Sequence, residues 1–276
     1  MVADAKQRTG WVVLRRLPPE SSARAIVVTL LVCMLSSALI ATAVNVLRPY
    51  QERNRAQQRA RHIEEVIASV PGLADVLGSL AEARVETRLV DLASGSYAAE
   101  ADANGFDSRG AARDPDTSLV LPPERDLAGI GRRAHHAAVF LVYEDGRLRL
   151  LVLPVYGAGY VSTLYGYLAL DPDLQTVRGL SFYEHGETPG LGSEIENPRW
   201  REQWSGKRLR DPTGKLRIGV ARGRVSAGDP YAAYEVDGIS GATRTGTGVT
   251  KLLHFWLGSD GFGPYLAQLE QKRGAL

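Results

Sequence analysis

A hydroxyl set among very small residues is the part of this chain best suited to chemistry. The run Asp237-Gly238-Ile239-Ser240-Gly241-Ala242-Thr243-Arg244-Thr245 presents the Thr243 alcohol with Ser240, Gly241 and Ala242 before it and Thr245 beyond. Nothing bulky precedes it, which suits attachment to a large phosphorylated group. Residues 232–236 read as a short strand, and Asp237-Gly238 as a turn in which Gly accepts positive φ. Val249, Leu252, Leu253 and Trp256 recur at helical spacing and predict a helix beginning near Thr247 or Gly248. A helix N-terminus favours phosphate, because its unpaired amides and its dipole both point positive charge outward. Gly241, Gly246 and Gly248 would let the backbone come close. On spacing alone two readings stand: a phosphate site, or an ordinary Gly/Ser/Thr turn entering a helix. The missing Gly-Lys-Ser/Thr ending argues against a P-loop.

Other segments join this one in a family resemblance. The threonine run resembles the flavinylation motif of proteins that carry FMN through a phosphoester to threonine. Gly157-Ala158-Gly159, Leu164-Tyr165-Gly166-Tyr167, His185-Gly186-Glu187-Thr188-Pro189-Gly190-Leu191-Gly192 and the tail Phe255-Trp256-Leu257-Gly258-Ser259-Asp260-Gly261-Phe262-Gly263-Pro264-Tyr265 resemble the C-subunit family of the Na⁺-translocating NADH:quinone reductase. The resemblance runs from an N-terminal anchor to about Leu269. It implies that Thr243 bears the FMN, attached by a dedicated flavin transferase. It also implies that the chain relays single electrons inside a six-subunit membrane complex passing electrons from NADH to a quinone and Na⁺ outward. Such a protein is inactive alone and has no catalytic side chain of its own. Two departures touch the pocket wall: Gly159-Tyr160-Val161 stands where Gly-Leu-Trp is expected, and Thr245 is followed by Gly246 rather than Ser. The G subunit of the Rnf-type ferredoxin:NAD⁺ complex shares the motif and is one alternative; an anchored domain that holds flavin without turnover is another.

A flavin needs apolar or aromatic walls and a hydrogen-bonding rim. Residues 185–192 suit that rim: Pro189-Gly190 and Gly192 predict a turn with free amides, Thr188 offers a hydroxyl, and Leu191 can press on a ring face. Tyr165 and Tyr160 are stacking candidates, while Trp200, Trp204 and Trp256 are assigned to packing. His185 and Glu187 as an acid–base pair are disfavoured, since an electron carrier needs no base and loop glutamates usually face water. Arg244 and Lys251 are placed either near the phosphate or in solvent.

Bulk properties narrow the rest. The 276 residues carry 33 basic against 31 acidic side chains, a balance that gives no reason to expect nucleic acid. The lone Cys33 excludes an intramolecular disulfide and any iron–sulfur cluster ligated within this chain, and the five histidines lack zinc-site spacing, so no metal site is expected. No dinucleotide fingerprint appears, so electrons must arrive from a partner. Residues 25–47 contain no charged side chain and, as a helix, would reach roughly 34 Å, enough to cross a bilayer. Lys6, Arg8, Arg15, Arg16 and Arg24 before this run nearly balance Arg48, Arg53, Arg55, Arg59 and Arg61 after it, so charge leaves the orientation open. The resemblance implies a single-pass inner-membrane protein with its flavin domain on the periplasmic side.

The expected organisation is a tail over 1–24, a transmembrane helix over 25–47, linker helices and an α/β region over 48–135, and an FMN-binding domain over 136–276. Helices are predicted at 53–67 and 73–84, strands at 85–97, 137–143, 148–154, 164–170 and 177–183, and a long surface excursion at 98–126. Asp145-Gly146 signals a hairpin. The fold class is α+β: a mixed or antiparallel sheet with flanking helices behind one membrane helix.

Overall fold

The computed structural model describes residues 26, 29–37, 84–98, 103 and 106–274. Contacts divide the chain into residues 1–62 and 63–276. In the first unit residues 29–37 are helical, with Leu30, Leu31, Val32, Met34 and Leu35 exposed. No helix among the described residues is long and apolar enough to cross a membrane. Most of the 25–47 run, and the helices predicted at 53–67 and 73–84 except for Arg84, which is the first residue of a strand, lie outside them.

The second unit is built on a five-stranded antiparallel sheet. In spatial order its strands are β1 (Arg84–Asp91), β4 (His136–Glu144), β5 (Arg147–Ala158), β6 (Thr163–Leu170) and β7 (Val177–Glu184). Four predicted strands thus appear within a few residues of their expected ends. The turn joining β4 and β5 has Asp145 at φ 52° and Gly146 at φ 73°, the left-handed pair a tight hairpin requires. The first strand stops at Asp91, whose carboxylate accepts from the Ser94 amide at 2.7 Å and turns the chain. Because β1 pairs with β4, the sheet draws its edge from upstream of residue 136.

Alternation along the strands gives the sheet two apolar faces. Leu151, Leu153, Val155, Leu164, Leu168 and Leu170 share the main core with Val249, Leu252, Leu253 and Trp256 of the helix α3 (Thr243–Trp256). Phe140, Val142, Leu150, Val152, Tyr167 and Ala169 form a smaller cluster on the other face. Trp200, Trp204 and Trp256 are buried, as expected of packing residues. Trp256 also donates to the Tyr156 carbonyl at 2.7 Å, fixing α3 to β5.

The 98–126 stretch is less irregular than expected. It holds α1 (Ser108–Arg113), capped by Asp107, and β2 (Ser118–Val120), paired with β3 (Arg132–Ala134). Residues 232–236 supply only the two-residue β9 (Glu235–Val236), parallel to β8 (Gly219–Val220). The short α2 (Pro198–Glu202), capped by Asn197, and α4 (Gly263–Gly274) complete the elements. The class is α+β with an antiparallel main sheet.

Candidate functional site

Thr243 opens α3, four residues before the predicted start. The glycines at 246 and 248 disguised its first turns, since Gly costs about 1 kcal/mol against Ala inside a helix. They are tolerated because the helix packs tightly there. A Cβ on Gly248 would stand 2.5 Å from the Ala158 carbonyl, and one on Gly246 would stand 3.0 Å from Val220 Cγ1. Behind the entry, the Asp237 carboxylate accepts from the Val225 amide at 2.7 Å, and the Asp237 carbonyl accepts from Trp200 Nε1 at 2.9 Å. The Asp237 amide donates to Gln203 at 2.9 Å. Asp237 therefore anchors the whole run to α2, a role its reading as a turn residue missed.

The entry itself is open. The residue before it, Ala242, has no capping side chain, and the first backbone bond into the helix runs from the Gly246 amide to the Ala242 carbonyl at 3.1 Å. The amides of Thr243, Arg244 and Thr245 have no protein partner among the described hydrogen bonds. Thr243 and Arg244 are exposed, and so is Ser240. An uncapped helix start with three free amides, an accessible hydroxyl and an adjacent guanidinium fits a phosphate dianion. On this chemistry the residues present fit the phosphate end of FMN.

Thr245 points the other way. It is 1% exposed, and its hydroxyl donates to Glu187 Oε2 at 2.5 Å. Two residues along a helix turn a side chain by about 200°, so with Thr243 facing out Thr245 must face in. Its amide remains available to a phosphate; its hydroxyl is committed. Glu187 is buried at 5% exposure, correcting the expectation of a surface loop glutamate. Its Oε1 accepts from the amides of Tyr160, Val161 and Ser162 at 3.0, 2.9 and 3.2 Å. Burial alone would raise this carboxyl, but the Thr245 hydroxyl and the amides outweigh it and hold it below the ordinary carboxylate value. His185 sits beside it with Nδ1 accepting from the Glu187 amide at 3.1 Å and Nε2 2.9 Å from Glu196. The two side chains are thus both held by contacts within the protein.

The 185–192 loop does meet the threonine run. A Cβ on Gly241, which has φ 73°, would stand 2.8 Å from Leu191 Cδ2. Leu191 is 42% exposed and Tyr160 58% exposed, and the Arg244 guanidinium lies 5.1 Å from the Tyr160 ring centre. Thr188, Pro189 and Gly190 form the outer turn of this loop, and all three are exposed. The turn amides are not free, however: Gly190 donates to Ser193 Oγ at 3.0 Å, and Leu191 to the Thr188 carbonyl at 3.1 Å. Gly190 is needed there for its φ of 72°.

Two candidates lie elsewhere. Tyr165 alternates with Leu164, which faces the α3 side. Its ring is stacked on Tyr156 at 5.7 Å and covered by the Arg109 guanidinium at 3.8 Å. Arg109 is itself held by Glu184 through bonds of 3.2 and 2.7 Å. Lys251 is exposed two turns down α3, roughly 12 Å of rise from Thr243.

The chain is similar to known proteins along most of its length. The model of the FMN-binding domain matches residues 159–258, which span the Gly159 loop, the Glu187 loop and all of α3. The C subunit of the Na(+)-translocating NADH-quinone reductase from Pseudomonas aeruginosa is 44% identical, covering 91% of this chain and 97% of its own. The protein of the same name from Yersinia pestis is 42% identical over 93% and 96%. The crystal structure of Shewanella oneidensis NqrC superposes with a TM-score of 0.64 at 37% identity, over 80% of this chain and 99% of that one. These names do not favour the Rnf reading. With such identity along nearly its full length, the chain belongs to the C-subunit family of the Na(+)-translocating NADH-quinone reductase, an oxidoreductase complex.

Proposed function

We propose that this chain is the membrane-anchored FMN carrier of its complex, with the FMN phosphate esterified to Thr243 Oγ1. Bound FMN supplies one-electron transfer. The chain's own residues do the rest. The amides of Thr243, Arg244 and Thr245 and the α3 dipole neutralise the phosphate, and Arg244 adds charge at the same rim. Ser240, Gly241 and Ala242 keep the approach clear. Leu191, Thr188 and Gly190 line one side of the entry and Tyr160 the other; Tyr165 supports the sheet behind. A covalent tether prevents loss of the cofactor and holds it at one place relative to donor and acceptor.

The reading extends to the assembly. Residues 25–47 cross the inner membrane, the 1–24 tail stays cytoplasmic, 48–135 supply linker helices and an α/β region that includes β1, and the FMN-binding region from 136 onward lies on the periplasmic side. A dedicated flavin transferase loads Thr243, and partners in a six-subunit complex deliver and accept the electron on its way to quinone, coupled to Na⁺ export.

The observation carrying this reading is the accessible Thr243 hydroxyl at an uncapped helix start with free amides. Its test is a denaturing gel viewed under ultraviolet light after co-expression with the transferase. The wild-type band should fluoresce, Thr243→Ala should be dark, and Thr243→Ser should keep some signal because it keeps the hydroxyl. A dark wild-type band, or a bright Thr243→Ala band, overturns the assignment.

A further inference from the structure

Phosphate chemistry at Thr243 leaves one feature of the site unused: a charged carboxylate sealed behind it. Among the described residues no basic side chain is paired with Glu187; three consecutive amides and one hydroxyl hold it instead. A buried charge satisfied this way costs desolvation that an apolar residue would avoid. Two glycines keep room for it. A Cβ on Gly159 would stand 2.5 Å from Oε1, and one on Gly192 would stand 2.6 Å from Oε2 and 2.7 Å from Thr245 Oγ1. The two carboxylate oxygens serve different segments, the 160–162 loop on Oε1 and the first turn of α3 on Oε2. The 160–162 loop connects β5 to β6 and carries the exposed Tyr160 and Val161.

We infer that Glu187 is a positioning residue for the flavin: it fastens the 160–162 loop to the α3 entry, so fixing the wall formed by Tyr160 and Val161 relative to the Thr243 hydroxyl. It touches no cofactor atom in this account and acts through the loop and Thr245. The inference rests on the Thr243 reading for the flavin's location, but the clamp is testable without flavin.

The side chains available at 187 separate reach from charge. Glutamine can turn its carbonyl oxygen to the three amides and its NH₂ to Thr245 Oγ1, keeping both ties without charge. Aspartate is one methylene shorter and cannot serve both segments. Alanine serves neither.

Two measurements on the full-length chain decide the matter. In flavin-free protein, made without the transferase, hydrogen exchange at the Tyr160, Val161 and Ser162 amides should rise about 10- to 100-fold in Glu187→Ala, as expected for losing bonds to a charged acceptor. Protection in β5 and β6 should be unchanged. Glu187→Gln should restore most of the protection and Glu187→Asp little. In flavin-loaded protein, time-resolved fluorescence anisotropy should show faster local ring motion in Glu187→Ala, reversed in Glu187→Gln. Thr245→Val, which cuts only the α3 tie, should free the ring while leaving loop exchange near wild type, and it carries the test if Glu187→Ala does not fold. Wild-type exchange at 160–162 in Glu187→Ala overturns the clamp. A freed loop with unchanged ring motion overturns the positioning role. Wild-type protein lacking flavin at Thr243 refutes the attachment instead, with the exchange result still deciding the clamp.

Discussion

At the scale of single residues, two titratable groups, the half-buried His254 and the buried Glu187, tie stability to pH in separate windows. His254, on α3, places Nε2 2.9 Å from the Ile218 carbonyl, so the ring donates there. Burial holds its value below the ordinary one, with the carbonyl pulling weakly the other way. An unfolded histidine titrates near 6.5, and the folded one lower. The stabilisation is therefore complete above about 6.5 and is lost as pH falls through that value towards the folded one. Chemical denaturation between about pH 7 and pH 5 should show stability dropping by up to about 1.4 kcal/mol per pH unit from this group. In His254→Gln that drop should be missing, since an amide can keep the Ile218 bond without titrating. An equal slope in the variant would assign the acid sensitivity elsewhere. Glu187 acts lower. Its folded value is depressed, so its contribution stands above the ordinary carboxylate value and disappears below it. A second acid transition should accordingly remain in His254→Gln and be smaller in Glu187→Gln, with Asp91, Glu184 and Asp211, also held low by their partners, keeping the rest.

At the scale of elements, the site depends on how closely α3 lies against the end of β5. Gly248 is where that approach is tightest. Alanine at 248 would gain about 1 kcal/mol of helix propensity. Its methyl would also stand 2.5 Å from the Ala158 carbonyl and 3.2 Å from Gly159 Cα, both backbone atoms that cannot rotate aside. Overpacking of this kind costs about 1–3 kcal/mol, so the clash wins. Urea titration should show Gly248→Ala less stable than wild type, whereas Lys251→Ala on the exposed side should stay within about 0.5 kcal/mol. A Gly248→Ala protein as stable as wild type would mean that α3 can shift without consequence. The same contact explains what the sequence could and could not reveal. Strands β4 to β7 were legible because each alternates apolar residues over a covered face, and the Asp145-Gly146 hairpin announces itself chemically. The start of α3 was misplaced because its cap is Ala242 and its early glycines serve a neighbour distant in sequence. Thr243 was legible as an exposed hydroxyl among small residues. Glu187 was not: its burial comes from three segments meeting, and nothing adjacent to it in the chain signals that.

At the scale of the whole molecule, the flavin region and the apolar N-terminal run answer different demands and should separate cleanly. The core of the 63–276 unit is closed over its own residues. Val90, Leu151, Leu168, Val249 and Phe262 are buried within one cluster, and α3 and the sheet supply both sides of it. Residues 25–47, by contrast, have no charged side chain to hold them in water. A chain beginning at Arg48 should therefore fold and remain in the supernatant after centrifugation. Given the transferase, it should still accept flavin at Thr243, because every group at the α3 entry lies downstream. The full chain should sediment with membranes and resist extraction by high salt and carbonate, yielding only to detergent, since a run of this length favours hydrocarbon over water. Release of the full chain by carbonate alone would reduce residues 25–47 to a peripheral contact. Failure of the shortened chain to fold would show that the sheet and α3 need the upstream residues to close the core.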